Sequence, residues 1–361
     1  MQWLEDVLRH GWLSHRPAVE VLTAAGMVSR TLSYAELLAA AAALAADLAT
    51  IVSHHQQRVL VVAANSPEHI VADLATMIAG AATTALSPHA AETEIRYIAL
   101  SADIVLCDRD GRRAVDRLAL DCPIRTVDAR ERPGVTAPEP AGDADKVVVC
   151  PDSDREFALP SGAIDEVLRA VRLRAPTGVW RRYLAVTPLS TLIEQIFVYL
   201  TLQHQGTVRL TSSNTPNLAN AEPTATQLTA PAAEALAAVL KRRPELAGED
   251  LCRVLFGAPA APYLMCFDPL APTDELTARG VPVHRGFAMD GVYPLTLATQ
   301  GTSAHSVGEP LSHVWLKVAV DGELLVKSKS RLVIPWRSGE DGWLALGVRG
   351  ELDPAGRVHL V

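Results

Sequence analysis

The stretch that decides the fold is residues 58–68, which read RVLVVAANSPE. Residues 59–62 form a continuous apolar run, which is typical of a strand buried on both faces of a parallel sheet. The Asn-Ser-Pro that follows at 65–67 supplies a turn and a helix start, because proline is favoured in the first helical turn. The stretch therefore predicts a buried β-strand that leads directly into a helix ending near Ile78.

The same alternation of strand and helix extends in both directions from this stretch. On the amino-terminal side, Ser33 and Glu36 have the spacing of a capping box, which predicts a helix over residues 34–49. The pattern predicts further strands over 81–86, 104–107, 147–149, 183–186, 207–210 and 253–256, and further helices over 91–101, 164–172, 189–203 and 231–241.

This alternation predicts βαβ units and a largely parallel sheet. From Val307 onward the pattern changes to short alternating strands, with a hairpin signal at Asp321-Gly322. The predicted fold class is α/β, with layered parallel-rich sheets flanked by helices and a small C-terminal β subdomain. The predicted domains are a layered α/β body of two sub-lobes over 1–306, with a linker near 131–145, and a β subdomain over 307–361.

Composition excludes several classes of protein. Of the 361 residues, 49% are hydrophobic and 20% are charged, which is too apolar for a disordered chain. The net charge of −8 argues against a nucleic-acid partner, which normally needs clustered Lys and Arg. The five cysteines lack C-x-x-C spacing and are interpreted as reduced thiols, so neither a disulfide framework nor a metal site is expected.

The sequence also predicts a cytoplasmic protein. Residues 1–11 contain Glu5, Asp6 and Arg9 and have no apolar core, so they do not resemble a signal peptide. The most apolar long segment, residues 70–86, is interrupted by Asp73 and is interpreted as a buried helix and strand instead of a membrane span.

Several segments follow one another in an order that belongs to a known family. In their order and spacing they resemble the large N-terminal domain of adenylate-forming enzymes: acyl- and aryl-CoA synthetases, acyl-acyl-carrier-protein ligases and peptide-synthetase adenylation domains. The segments are residues 31–37 (TLSYAEL), 59–68, 79–81 (AGA), 86–88 (LSP), 187–189 (TPL), 256–259 (FGAP), 281–289 (VPVHRGFAM), 306–311 (SVGEPL) and 341–344 (DGWL).

The resemblance implies ATP and Mg²⁺ as cofactors and a carboxylic acid that is first adenylated and then transferred to a thiol. The family's phosphate loop is rich in Ser, Thr and Gly, because small residues let backbone N–H groups surround the phosphate oxygens. Here the corresponding stretch has no glycine, and Glu156 falls about where the family has a lysine. This degenerate phosphate loop consists of Pro151, Asp152, Ser153, Asp154, Arg155 and Glu156.

Three further features depart from the family. The motif that stacks on adenine and holds phosphate and Mg²⁺ reads FAMDG at 287–291, with Asp290 in place of the threonine and a glycine in place of the glutamate. The ribose-binding threonine–glycine–aspartate reads LGV at 346–348. The sequence also ends at Val361, where the family continues into a small C-terminal domain that supplies a lysine. These departures predict that no catalytic residue and no cofactor site is retained.

An apolar substrate and adenine pocket is nevertheless expected from the resemblance, because the matching stretches are apolar or small and Phe287 keeps its ring. The predicted pocket residues are Thr187, Pro188, Leu189, Gly257, Ala258, Pro259, Gly286, Phe287, Ala288, Met289 and Asp290.

Three hypotheses follow. The first is a non-adenylating binding or scaffold protein that takes an acyl or aryl group, or works with a carrier protein or a partner biosynthetic enzyme. The second is an active ATP-dependent acyl or aryl acid ligase with an unusual ATP site or a separate C-terminal partner. The third is ATP-independent acyl transfer through Cys150.

Overall fold

The computed structural model describes residues 1–51, 57–130, 135–139, 146–150, 155–213, 216–289, 293–299, 306–328 and 342–361. The helices are α1 Gln2–Gly11, α2 Tyr34–Ala49, α3 Pro67–Ile78, α4 Glu92–Ala99, α5 Arg109–Val115, α6 Ser161–Arg174, α7 Leu192–Gln203, α8 Leu218–Ala221, α9 Ala230–Arg242, α10 Gly248–Phe256 and α11 Asp274–Ala278. The strands are β1 Pro17–Leu22, β2 Val28–Ser33, β3 Arg58–Val62, β4 Ala82–Leu86, β5 Ile104–Cys107, β6 Ile124–Thr126, β7 Lys146–Cys150, β8 Arg155–Leu159, β9 Arg182–Ala185, β10 Thr207–Leu210, β11 Ala225–Gln227, β12 Tyr263–Cys266, β13 Val283–Met289, β14 Tyr293–Leu297, β15 Glu309–Pro310, β16 Val314–Val318, β17 Glu323–Ser328, β18 Leu344–Leu352 and β19 Val358–Leu360.

A six-stranded sheet is built around β3, in the order β6-β5-β3-β4-β7-β8. Its neighbouring strands are parallel except β7 and β8, which form an antiparallel hairpin. Residues 59–62 of β3 are fully buried. In the turn that follows, the Ser66 side chain accepts a hydrogen bond from the backbone N–H of His69 at 3.2 Å and so starts α3. The predicted buried strand leading into a helix is confirmed.

The capping box at the start of α2 is also confirmed. The hydroxyl of Ser33 accepts a hydrogen bond from the backbone N–H of Glu36 at 3.2 Å, and the Glu36 carboxylate accepts one from the backbone N–H of Ser33 at 2.7 Å. Hydrogen bonding to the Ser33 backbone and side chain lowers the pKa of Glu36 below its ordinary value. These bonds satisfy N–H donors of the first turn that a helix cannot pair internally, so the helix begins at the residue that the sequence predicts.

A nine-stranded sheet has the order β15-β14-β13-β12-β11-β9-β10-β1-β2. The six strands from β13 to β1 are parallel, and antiparallel strands cover both edges. One continuous apolar core contains residues of both large sheets and of the helices between them. Within it the rings of Trp3 and Tyr199 stack with centroids 4.3 Å apart, which ties α1 to α7.

The C-terminal strands form a separate four-stranded antiparallel sheet in the order β16-β17-β18-β19. Gly322 has φ +86° in the turn between β16 and β17, a conformation that favours glycine. The predicted fold class is therefore confirmed. The domain boundaries stay a prediction: β15, inside 307–361, pairs with β14 of the large sheet, and only 135–139 of the predicted linker is described.

The strand predicted over residues 253–256 is wrong, because these residues form the last turn of α10. Leu251 and Leu255 are four residues apart and both buried, so they share the inner face of this helix. Gly257 ends the helix with φ +70°, the left-handed conformation common just after a helix. A three-residue apolar run, here Val254–Phe256, does not distinguish a strand from a buried helical turn.

Candidate functional site

The carboxyl-terminal ends of the parallel strands are where ligands bind in open α/β sheets. Thr187, Pro188 and Leu189 lie there, directly after β9. Asn65, which follows β3 in the other sheet, donates a hydrogen bond from Nδ2 to the carbonyl oxygen of Thr187 at 2.9 Å. Its Oδ1 accepts one from the backbone N–H of Leu189 at 2.8 Å. One asparagine side chain therefore joins the two sheets at this edge.

A buried carboxyl group, which the sequence analysis did not identify, lies beneath this segment. Glu194, in the first turn of α7, is fully buried and accepts hydrogen bonds from the hydroxyls of Tyr183, at 2.9 Å, and Thr187. Burial raises the pKa of Glu194 to about 8, while the two hydrogen bonds act in the opposite direction. At neutral pH this carboxyl group is therefore mostly protonated. The sequence signal was a single acid inside the apolar run LIEQIF.

The predicted phosphate loop corresponds to the hairpin between β7 and β8. Cys150 pairs with Arg155 and Val149 with Glu156, so only four residues join the two strands. Those four, Pro151, Asp152, Ser153 and Asp154, lie outside the described residues. Arg155 and Glu156 are the first two residues of β8.

The predicted adenine segment is the strand β13. It contains Gly286, Phe287, Ala288 and Met289, whereas Asp290 lies outside the described residues. The Phe267 ring packs against Gly286 so closely that a Cβ added to this glycine would lie 2.4 Å from Cε1 of that ring. Phe287 packs against the main core. The space beside Gly286 is therefore filled by an aromatic side chain.

Gly257, Ala258 and Pro259 lie beside the amino-terminal ends of the parallel strands, whereas Thr187 lies beside their carboxyl-terminal ends. They line a cleft of about 940 Å³ together with Thr224, directly before β11, and Tyr263, the first residue of β12. The amino ends of parallel strands lie together, so this cleft is at the amino-terminal edge. The structure therefore does not bring all the predicted pocket residues together. The physical reason is that α10, which sequence analysis predicts to be a strand, ends at this edge.

The segment predicted to have lost ribose binding lies in β18. Gly347, at its centre, has φ +73° and donates its backbone N–H to Oε1 of Glu323 at 2.9 Å. This backbone N–H is therefore already hydrogen-bonded within the small C-terminal sheet.

No group of three or more metal-ligating side chains occurs among the residues that the structure describes. Cys107 and Cys266 are free thiols whose pKa burial raises to about 11, so neither is a reactive thiolate near neutral pH. Cys150 is the last residue of β7. Within the described ranges, no helix is long and apolar enough to cross a membrane.

The sequence matches a known protein family over part of its length. Residues 12–156 match the family model described as AMP-binding enzyme. No curated protein sequence matches the chain.

Solved structures match it over almost its whole length. The O-succinylbenzoate-CoA synthetase (MenE) from Bacillus subtilis has a TM-score of 0.77 at 18% identity, covering 99% of this chain and 78% of that one. The same enzyme in complex with AMP has a TM-score of 0.75 at 18% identity, with coverages of 99% and 97%. The amide bond synthetase McbA from Marinactinospora thermotolerans has a TM-score of 0.78 at 19% identity, with coverages of 99% and 78%. The resemblance inferred from the sequence is thus confirmed: the chain matches the AMP-binding enzyme family over residues 12–156 and has the N-terminal fold of adenylate-forming ligases throughout.

Proposed function

We propose that this chain is a non-adenylating relative of the AMP-binding enzymes and acts by binding a partner instead of by ATP chemistry. The observation that carries the proposal is the hairpin between β7 and β8, in which only residues 151–154 separate the two paired strands. A loop of four residues offers few backbone N–H groups to phosphate oxygens, and Pro151 has none.

Charge argues in the same direction. Residues 151–154 contain two aspartates and no basic residue. Transfer of an adenylyl group depends on positive groups that neutralise developing negative charge, so carboxylates in this place would repel the triphosphate. The residues at the family's ATP and Mg²⁺ positions therefore do not fit these cofactors, and none is expected.

A partner surface fits the geometry better than an acyl pocket. The Phe267 ring fills the space beside Gly286, and the cleft at Gly257 opens at the other edge of the sheet. The Phe267 contact with Gly286 and the separate position of the cleft disfavour a continuous acyl or aryl tunnel between Thr187 and Phe287. The partner classes that we propose are a carrier protein or another biosynthetic enzyme, which the outer surface would bind.

The alternative is an active ATP-dependent acyl or aryl acid ligase that uses ATP and Mg²⁺. One observation favours it: the family match extends to residue 156 and so includes the altered loop. Acyl transfer from Cys150 would need a base that forms its thiolate, and the sequence around Cys150 offers no identifiable partner for this role.

The two functions predict different results in a binding experiment. We expect millimolar ATP with Mg²⁺ to give no heat in titration calorimetry and no change in melting temperature. A ligand at 100 times its Kd would add about 2.7 kcal/mol to the free energy of unfolding, which is easily measured. The B. subtilis O-succinylbenzoate-CoA synthetase, whose structure holds AMP, serves as the positive control. Saturable ATP binding would contradict the proposal, and pyrophosphate release with a carboxylic acid would establish the ligase instead.

A further inference from the structure

The cleft at the amino-terminal edge of the nine-stranded sheet is not used by the proposed function. It lies where β9, β11, β12 and β13 begin, at the strand ends opposite to Thr187. Its volume of about 940 Å³ is within the usual range for small-molecule sites of roughly 300–1,000 Å³.

The lining of this cleft is positive although the chain is acidic. Three arginines line the cleft, Arg174, Arg181 and Arg182, and among the described lining residues Glu222 is the one acidic side chain. The Glu222 carboxylate pairs with Arg182 at 2.9 Å, and Arg174 lies 3.5 Å from Glu309. Arg181 is exposed and bonds to the Gly178 carbonyl at 3.3 Å, and among the described residues it forms no ion pair. A positive cleft in a protein of net charge −8 selects anions.

A buried histidine adds a polar group with one nitrogen unused. His284 lines the cleft, is only 9% exposed, and stacks on the Tyr263 ring with centroids 4.0 Å apart. Its Nδ1 lies 3.1 Å from the Ala298 carbonyl oxygen, which can only accept, so Nδ1 holds the proton. Burial lowers the pKa of His284, which keeps the ring neutral at pH 7. Its Nε2 is then an acceptor, and no partner for it occurs in the described part of the chain.

The rest of the lining is apolar and rigid. Residues 258–262 read APAAP, and Pro176, Pro223 and Pro282 also line the cleft. The backbone at a proline is already restricted in φ. Binding an apolar group against these residues therefore costs little conformational entropy of the protein.

We propose that this cleft binds an organic anion, a carboxylate or a phosphate monoester, whose aromatic or apolar body contacts the Pro-Ala wall and whose N–H or O–H group donates to His284. Arg181 contacts the anionic group. This inference is independent of the proposed function, because the cleft and the β7–β8 hairpin share no residue.

A fluorescent probe with these features tests the proposal. 1-Anilinonaphthalene-8-sulfonate has an anionic sulfonate, an aromatic body and one N–H donor, and N-phenyl-1-naphthylamine is the same molecule without the sulfonate. We expect Arg181→Gln to weaken sulfonate-probe binding about tenfold, as for the loss of a hydrogen bond to a charged group, and to leave the neutral probe unchanged. His284→Phe, which keeps an aromatic ring over Tyr263, should weaken both probes.

The control variant is Arg113→Gln, which removes an exposed arginine from α5. It should change neither probe. 4-Aminobenzoate and 4-aminophenyl phosphate, which carry an N–H donor as well as the anionic group, are added as competitors and decide whether the anion is a carboxylate or a phosphate. The proposal fails if the sulfonate probe does not bind, if neither competitor displaces it, or if Arg181→Gln and Arg113→Gln have equal effects.

Discussion

Replacing Asp108 with alanine should lower the free energy of unfolding by about 3 kcal/mol, because it removes a buried carboxylate that accepts three hydrogen bonds. Asp108 caps α5 and is 5% exposed. Its oxygens accept from the backbone N–H of Gly111 at 2.7 Å, the backbone N–H of Ala64 at 2.9 Å and the hydroxyl of Ser66 at 2.9 Å. The measurement is urea unfolding followed by circular dichroism.

The matched control lies on the same helix. Asp110 is 57% exposed and forms a surface ion pair with Arg113 at 3.1 Å, so Asp110→Ala should cost less than about 1 kcal/mol. Asp108→Asn, which retains an oxygen acceptor, should be intermediate. If the two alanine variants unfold at the same urea concentration, the carboxylate of Asp108 does not hold the turn after β3 to the start of α5.

Replacing Glu194 with glutamine should make the protein more stable at pH 8 and change little at pH 4. Burial raises the pKa of Glu194 from its ordinary value of 4.5 to about 8. Between these two values the unfolded chain has lost the proton and the folded chain retains it, so the stability of the parent protein falls as pH rises. In this pH range the free energy of unfolding of the parent protein falls by at most about 1.4 kcal/mol per pH unit.

The quantity to compare is the free energy of unfolding of the variant minus that of the parent protein, measured as a function of pH. It should grow on the order of 3 kcal/mol from pH 5 to pH 8 and level off above the folded pKa. Glutamine can still bond to the hydroxyls of Tyr183 and Thr187, because its amide both donates and accepts. Glu234→Gln, on the exposed face of α9, makes the same change of charge and is the control variant. Parallel curves for both variants would contradict a buried neutral carboxyl group at position 194.

The elements predicted most accurately are those specified by neighbouring residues. α2 begins at the predicted residue because its capping box lies within four residues of sequence. β3 and α3 follow from one apolar run and the Ser-Pro turn after it. Their hydrogen bonds and burial require no knowledge of distant parts of the chain.

The outer strands of the large sheet were not predicted, for the opposite reason. β1 pairs in parallel with β10, so that Val19 lies opposite Val208. Arg209 also forms an ion pair with Glu20 at 2.7 Å across this pairing. Contacts so distant in sequence leave no local pattern, since strand propensity depends on the neighbours that the sheet supplies.

By itself the sequence determined the fold class and the helices and strands with strong local signals. Only the tertiary structure decided how the candidate site residues are arranged. It placed Gly257 and Thr187 at opposite edges of one sheet, put the Phe267 ring against Gly286, and buried Glu194 beneath Thr187. The physical reason is that burial and packing are properties of all the elements that meet at a point, whereas capping and periodicity are properties of a few consecutive residues.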